Sequence, residues 1–172
     1  MRKALTCPLC LLMLASLTAL AVADSADSPI TYTFSGAPYG GQDVTLSFPS
    51  DYTIQYSSLG GVESLSNDHI EISLGVRDGS AYNTVEEFVE AYAGNLRKYK
   101  SALEVRHENG VCYLYVLDGE AWQSGTVTAY YDLNEQAKSG WWRTFQLTVN
   151  VKDMNLYGEE AIAIATSGVL NP

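Results

Sequence analysis

A histidine and a cysteine face each other across a predicted β-hairpin. Asn109-Gly110 is the dipeptide of a type I′ turn, because both residues tolerate a positive φ, so the flanking strands should pair in a two-residue hairpin. This pairing places His107 opposite Cys112. An imidazole beside a thiol can remove its proton and leave a thiolate nucleophile, whereas a buried cysteine near a turn histidine is inert. His107 and Cys112 are therefore the candidate catalytic pair, with the inert thiol as the alternative.

The last predicted hairpin carries a second candidate site on its polar face. Residues 127–133 and 141–151 alternate apolar with polar side chains, and pairing Leu133 with Trp141 brings the two apolar sets together. Aromatic and hydrogen-bonding side chains then share the opposite face, which suits a sugar or a protein partner. The predicted binding residues are Thr128, Tyr130, Trp142, Thr144 and Gln146. The alternative is that a helix covers this face, or that Trp142 is a single exposed aromatic.

Other catalytic and cofactor motifs are absent from the sequence. It has no Gly-x-Ser-x-Gly elbow, no His-Glu-x-x-His, no Walker-type lysine loop and no dinucleotide fingerprint. Its 2 histidines and 3 cysteines have no neighbouring ligands in zinc-binding spacing, so neither a metal site nor a cofactor is expected. A carboxylate-pair hydrolase stays open, because such pairs assemble only in the folded chain.

The N-terminal segment has the pattern of an export signal. Arg2 and Lys3 precede an apolar run, and Ala21-Val22-Ala23 closes that run with the small residues that a signal peptidase recognises. The run is interrupted by polar residues and is short beside the roughly 20 clean apolar residues of a spanning helix. We expect residues 1–23 to be a removed signal peptide and the protein to be secreted or periplasmic, without a membrane span after processing. An uncleaved anchor is the alternative.

The processed chain should be strongly acidic. The full sequence has 10 basic and 20 acidic residues, and cleavage after Ala23 removes 2 basic residues and no acid, which leaves a net charge of roughly −12. Such a surface repels nucleic acids and anionic lipids, so no nucleic-acid partner is expected. The acids are scattered, as is typical of a solubilising surface, with calcium or a basic partner as the alternative. Only Cys112 survives processing, so no internal disulfide is expected.

Short alternating strands and one helix organise the rest of the chain. Ile70–Val76 alternates most cleanly, with His69, Glu71 and Arg77 on its outer face, interpreted as solvated. Thr84 and Glu87 form a capping box that opens a helix whose apolar stripe extends to Tyr99. Val111–Leu117 is apolar on both faces, which is typical of a central strand covered on both sides.

A second helix is predicted near the C-terminus. Glu159 and Glu160 should begin a short helix that ends at Gly168. Together these elements predict an α+β domain with an antiparallel sheet, one long central helix and a short C-terminal helix. Residues 24–41 form an N-terminal segment with the first strand, at 30–34, which should join a single α/β domain over 42–172.

The order of elements resembles the PsbP/Mog1-like α/β sandwich over most of residues 42 to 170. The resemblance is carried by Leu46-Ser47-Phe48-Pro49 with Tyr52, by Thr84–Phe88, by Trp141–Val151 and by Ala161–Ala165. It implies the sandwich fold and a non-catalytic accessory, assembly or binding role. No functional residue is transferred by it, because the match lies in the pattern of elements.

These observations predict an exported, non-catalytic binding or accessory module of the cell envelope or exterior, with a protein or carbohydrate partner. The competing class is a small extracytoplasmic hydrolase or thiol enzyme that uses Cys112 and His107. A purely structural envelope component, which would self-associate, is the third class.

Overall fold

Two antiparallel sheets and two helices make up the described part of the chain. The computed structural model describes residues 28–56, 62–100, 102–118, 123–134 and 143–171. The strands are β1 (Ile30–Phe34), β2 (Asp43–Phe48), β3 (Thr53–Tyr56), β4 (Val62–Ser66), β5 (Ile70–Asp78), β6 (Ala102–Glu108), β7 (Val111–Asp118), β8 (Ser124–Asp132), β9 (Arg143–Val151) and β10 (Val169–Asn171). The helices are α1 (Val85–Leu96) and α2 (Met154–Ala165), and a single 3₁₀ turn spans Ala37–Tyr39.

The strands form one large and one small sheet. The large sheet has 7 strands in the order β3-β4-β5-β9-β8-β7-β6, and the small sheet has 3 strands in the order β1-β2-β10. The paired strands are antiparallel throughout both sheets. The predicted α+β class with an antiparallel sheet is confirmed.

The Asn109-Gly110 hairpin has the predicted geometry. Asn109 and Gly110 have φ of 53° and 79°, the left-handed values that a type I′ turn requires. Val105 pairs with Leu114 and His107 with Cys112, as the turn chemistry predicts.

The register of the β8–β9 hairpin differs from the prediction. Tyr130 pairs with Gln146 and Thr128 with Thr148, so β9 is displaced by two residues from the predicted pairing of Tyr130 with Thr144. Side chains alternate with a period of two along a strand, so this displacement changes every partner and leaves every side chain on its predicted face. The predicted register was wrong, and the predicted faces were right.

The two helices are equally long and are both capped by side chains. The Thr84 hydroxyl accepts a hydrogen bond from the Glu87 N–H at 3.1 Å, and α1 ends at Leu96, before Tyr99. The Asp153 carboxylate accepts from the Asn155 and Leu156 N–H groups, so α2 begins at Met154. Each helix has 12 residues, so the predicted C-terminal helix is confirmed, but it begins at Met154 and not at the predicted Glu159.

The large sheet is the middle layer of the molecule. On one of its faces, α2 and the small sheet enclose the main core, which includes Val44, Leu46, Phe145 and Leu147. The Tyr131 hydroxyl of β8 donates to the Ala165 carbonyl and accepts from the Gly168 N–H at 3.1 Å, which fixes the end of α2 to the sheet. α1 packs on the other face, so β7 is covered on both sides as predicted.

Neither α1 nor α2 is long and apolar enough to cross a membrane, and no other helix of that kind occurs among the described residues.

Candidate functional site

One face of the large sheet is divided between a half covered by a helix and a half that is polar. α1 packs on β6, β7 and β8 and buries an apolar cluster there. Phe88, Val89 and Ala93 of α1 meet Cys112, Leu114, Val116 and Tyr130 of the sheet. We call this region the covered half. Apolar side chains on this face of β7 and β8 are the reason that a helix packs there.

The same face continues across β9, β5, β4 and β3 with side chains of a different kind. Even positions of β9 and odd positions of β5 lie on the α1 side of the sheet, because their neighbours along each strand belong to the main core. We call the following set the polar half: Gln55, Ser64, Ser66, Glu71, Ser73, Arg77, Thr144, Gln146, Thr148 and Asn150. All of these except Thr144 are exposed or half-buried. The described helices leave the polar half open, since α2 packs on the opposite face.

A row of hydrogen bonds orders one end of the polar half. Arg77 Nε donates to Gln146 Oε1 at 2.6 Å, and Gln146 Nε2 donates to Thr148 Oγ1 at 2.8 Å. Within the described ranges the two terminal amino groups of Arg77 have no hydrogen-bond or ion-pair partner. Arg77 is therefore held across β9 by one nitrogen and presents its remaining donors outward.

A groove lies at the opposite end of the polar half. Its volume is about 320 Å³, and a second groove of about 400 Å³ adjoins it and shares four lining residues with it. Amide, hydroxyl, imidazole and carboxylate groups line the first groove, among them Gln55, Ser66, Asn67, His69, Glu71 and Asn150. Such a lining offers hydrogen-bond donors and acceptors beside the apolar side chains of Ile70 and Val151.

Local hydrogen bonds build the floor of this groove. The Asn67 carbonyl oxygen accepts from the His69 and Ile70 N–H groups at 2.9 and 2.8 Å, and its amide donates to the Asp51 carboxylate at 3.0 Å. The His69 ring stacks on Tyr157 of α2, with centroids 4.2 Å apart and planes inclined by 10°. The turn between β4 and β5 is therefore held in place by contacts of the chain itself.

Two buried hydroxyl groups at the boundary of the halves make no hydrogen bond to any described residue. Tyr130 is 2% exposed and Thr144 is fully buried, and within the described ranges neither side-chain oxygen has a partner. Burial raises the pKa of Tyr130, the nearby Tyr92 hydroxyl raises it further, and the Arg77 guanidinium acts in the opposite direction. Most buried hydroxyl groups are hydrogen-bonded, so two adjoining exceptions mark this boundary as unusual.

The predicted binding residues lie at this boundary and not on an open surface. Thr128, Tyr130 and Thr144 are buried, while Gln146 is half-buried. Their burial differs from the exposed patch that the alternation predicts. Over β8 the covering element is α1, and the ring centroids of Phe88 and Tyr130 are 5.4 Å apart. Trp142 lies outside the described residues. Whether the set binds a ligand stays a prediction.

The strand pattern placed Arg77, Glu71 and His69 on an outer face and carried no separate signal for a site there. The structure puts Arg77 at one end of the polar half and His69 and Glu71 beside the groove at the other. A signal was available: β5 and β9 both have polar residues at alternate positions, and two such strands side by side form a continuous polar surface.

The candidate catalytic pair is adjacent but is placed in an environment that disfavours a thiolate. Cys112 Sγ lies 3.9 Å from His107 Nε2. The cysteine is 2% exposed under α1, and burial, with smaller contributions from Glu86 and Glu90, raises the pKa of Cys112 to about 12. The thiol is therefore protonated at neutral pH. A nucleophilic cysteine needs the opposite shift.

Over the ranges that the structure describes, no group of three or more histidine, cysteine, aspartate or glutamate side chains is placed to hold a metal ion.

Comparison with known proteins supports the fold. The chain is similar to the solution structure of cyanobacterial PsbP (CyanoP) from Synechocystis sp. PCC 6803, with a TM-score of 0.50 and 11% sequence identity. The match covers 92% of this chain and 99% of that chain. No family model matches the sequence, and no similar sequence is found among curated proteins. The resemblance to the PsbP fold is confirmed at the level of architecture.

Proposed function

We propose that the chain is an exported, non-catalytic binding module that holds a carbohydrate along the polar half of its large sheet. The observation that carries this proposal is the chemical contrast between the two halves of one sheet face. Hydroxyl and amide side chains replace the apolar ones beyond the strands that α1 covers, and most of them are exposed or half-buried. Side chains of this kind exchange hydrogen bonds with sugar hydroxyl groups.

The composition of the polar half favours a carbohydrate over a protein partner. Protein interfaces have aromatic and apolar residues at their centres, with the energy concentrated in a few such anchors. Serine, threonine, glutamine and asparagine fill the centre of the polar half, and Tyr92, which is 38% exposed, packs on Tyr130 at its rim. A polyol backed by a rim aromatic fits this arrangement better than an apolar protein surface.

The dimensions of the polar half suit an elongated ligand. Glu71 and Arg77 lie six positions apart on the same face of β5, which corresponds to about 20 Å along the strand. The groove beside Glu71 lies at one end of this path and Arg77 at the other. An extended sugar chain would follow β5 and β9 between the two ends.

The proposal includes export and excludes a role for Cys112 in chemistry. Export is supported by the charge, apolar run and small-residue motif of residues 1–23. The raised pKa of Cys112 keeps its sulfur protonated, which argues against a thiol enzyme.

A steric block at the centre of the polar half tests the proposal. Ser73 pairs with Ser64 on one side and Thr148 on the other, so Ser73→Tyr would place a ring across the path of the ligand. Thr31→Tyr is the matched control, because Thr31 is an exposed hydroxyl residue of the small sheet. The full sequence should be expressed in a secreting host, and the product should be screened on an array of neutral and acidic glycans.

We expect the recovered chain to begin at Asp24 and to bind at least one glycan class. Ser73→Tyr should weaken that binding by at least about tenfold, with unchanged circular dichroism, and Thr31→Tyr should leave it intact. Binding to no glycan at millimolar concentration would contradict the proposal. So would a bound glycan that Ser73→Tyr retains.

A further inference from the structure

Three polar groups that have no hydrogen-bond partner among the described residues lie at neighbouring positions, at the end of the polar half that is remote from the groove. They are the terminal amino groups of Arg77, the Tyr130 hydroxyl and the Thr144 hydroxyl. Arg77 pairs directly with Thr144 across β5 and β9, and Gln146, which holds Arg77 Nε at 2.6 Å, pairs directly with Tyr130. The three groups therefore belong to neighbouring positions on one face of the sheet.

The charge of Arg77 is not neutralised by the acids around it. Asp78 follows it in sequence, lies on the opposite face of β5, and forms an ion pair with Arg143 Nη1 at 2.9 Å. Asp132 lies on the same face beside Thr144, and its carboxylate accepts the Asn134 N–H at 3.1 Å. A guanidinium with free terminal N–H groups is suited to bidentate binding of a carboxylate.

The two hydroxyl groups add to this preference. Each can donate a hydrogen bond, and neither has an acceptor within the structure. The Tyr130 ring packs under Tyr92, which is 38% exposed, so the covering side chain on this side is a surface residue. An oxygen-rich anion that reaches the boundary would satisfy donors that are otherwise buried without partners.

We propose that Arg77, with Tyr130 and Thr144, binds the carboxylate of a single acidic sugar at one end of an otherwise neutral carbohydrate. This inference rests on the proposed function, because it specifies the ligand of the same surface. One carboxylate is specified because the whole chain has a net charge of −10 and repels polyanions. The groove end has Asp51, Asp68 and Glu71, so the acidic sugar is oriented toward Arg77 and the neutral sugars toward the groove.

A matched pair of ligands separates this inference from the proposed function. The probes are a xylo-oligosaccharide that carries one glucuronate and the same compound with its carboxyl group methyl-esterified. Isothermal titration should be made with the wild type, Arg77→Gln and Arg97→Gln. Arg97 is the control, because it is a half-exposed arginine of the α1 C-terminus, paired with Glu90 and remote from the polar half.

We expect the wild type to bind the free acid at least about tenfold more tightly than the ester, as a charge-assisted bidentate contact would give. Arg77→Gln should reduce this preference to about twofold or less, and Arg97→Gln should keep it. Tyr130→Phe deletes one hydroxyl group, and Thr144→Val replaces the other with a methyl group. Each variant should weaken binding of the acid by roughly threefold.

Other outcomes overturn the inference in different ways. Equal binding of acid and ester by the wild type removes the inference and leaves the proposed function standing. Preference for the acid that survives Arg77→Gln places the carboxylate elsewhere. Equal binding of poly-glutamate and the acidic sugar shows that a carboxylate is recognised without the sugar, which favours an acidic peptide. Binding of neither compound, together with a glycan array without a hit, removes both proposals.

Discussion

The covered half and the polar half are neighbouring regions of one sheet face, and they differ only in which side chains the strands turn toward it. In β7 the residues on this face are apolar, and α1 lies over them. In β9, two strands away, the corresponding residues are threonine, glutamine and asparagine, and α2 packs on the opposite face of that strand. The backbone pairing is continuous across both halves. The side chains therefore decide which part of this face is covered by α1 and which part the described helices leave open.

The boundary between the halves is where the two patterns conflict. Tyr130 has its ring in the apolar cluster of the covered half and its hydroxyl directed to where polar groups begin. Thr144 is polar by type and fully buried by position. For this reason neither oxygen has a partner in the described part of the chain, and such groups destabilise a fold unless something else hydrogen-bonds to them.

The largest expected effect concerns the reactivity of Cys112 in the covered half. With a pKa of about 12, the folded thiol has a thiolate fraction of about one in 10⁵ at neutral pH, whereas an unperturbed cysteine with a pKa of about 8.5 has a few per cent. Iodoacetamide should label Cys112 about 10³-fold more slowly in the folded chain than in denaturant, as measured by peptide mass spectrometry. Folded and unfolded rates within tenfold of each other would show that α1 does not exclude solvent.

The same shift has a consequence for alkaline stability. The folded pKa of Cys112 lies above the unfolded value, so its contribution is complete below about pH 8.5 and is lost as the pH rises toward about 12. Tyr131, whose pKa burial raises to about 12, acts in the same direction.

A pair of truncations compares the packing of the two halves. Leu114→Ala removes a side chain that is 2% exposed under α1, and it should lower the free energy of unfolding by about 3 kcal/mol. Thr148→Ala in the polar half should change it by less than about 0.5 kcal/mol. Urea unfolding followed by circular dichroism measures both. Losses of similar size would mean that the polar half is also packed against part of the chain.

The smallest expected effect has opposite signs at two adjacent tyrosines. Tyr130→Phe removes a buried hydroxyl without a partner and should raise the free energy of unfolding by about 1 kcal/mol. Tyr131→Phe breaks hydrogen bonds to Ala165 and Gly168 and should lower it by about 1 kcal/mol. Thermal unfolding of both variants is the measurement. A loss of stability in Tyr130→Phe would show that its hydroxyl is already satisfied in the folded chain.

The register of a hairpin can be predicted where its turn has a specific dipeptide. Asn109-Gly110 specifies a turn that tolerates one register, so the partners of His107 and Val105 could be predicted. The loop between β8 and β9 contains no such dipeptide, and hydrophobic alternation alone cannot distinguish a register from one displaced by two residues. The faces of β9 were therefore predictable and its partners were not.

The start of the C-terminal helix has a local signal in the sequence, the N-cap residue Asp153. Asp153 is a strong N-cap residue and accepts two backbone N–H groups at the start of α2. The glutamates at 159 and 160 resembled a first turn, but they lie in the middle of the helix. Gly158 within α2 weakens the helical pattern there, because glycine is a poor helix former.

The candidate site was only partly predictable, because it depends on contacts between segments that are far apart in sequence. Alternation placed Tyr130, Thr144 and Gln146 on one face, and the structure agrees. The burial of Tyr130 depends on where α1 crosses the sheet, and Phe88 of α1, which packs on its ring, is 42 positions away in sequence. The role of Arg77 depends on the pairing of β5 with β9, which joins segments separated by the whole middle of the chain.

The small sheet also constrains folding, because it joins strands from the two ends of the described chain. Its middle strand, β2, has β1 on one side and β10 on the other, so the first and last strands described lie about 10 Å apart. β10 is the last strand described, and β2 has an open edge until β10 pairs with it. The small sheet can therefore close only when residues 169–171 reach residues 43–45, which are far away in sequence.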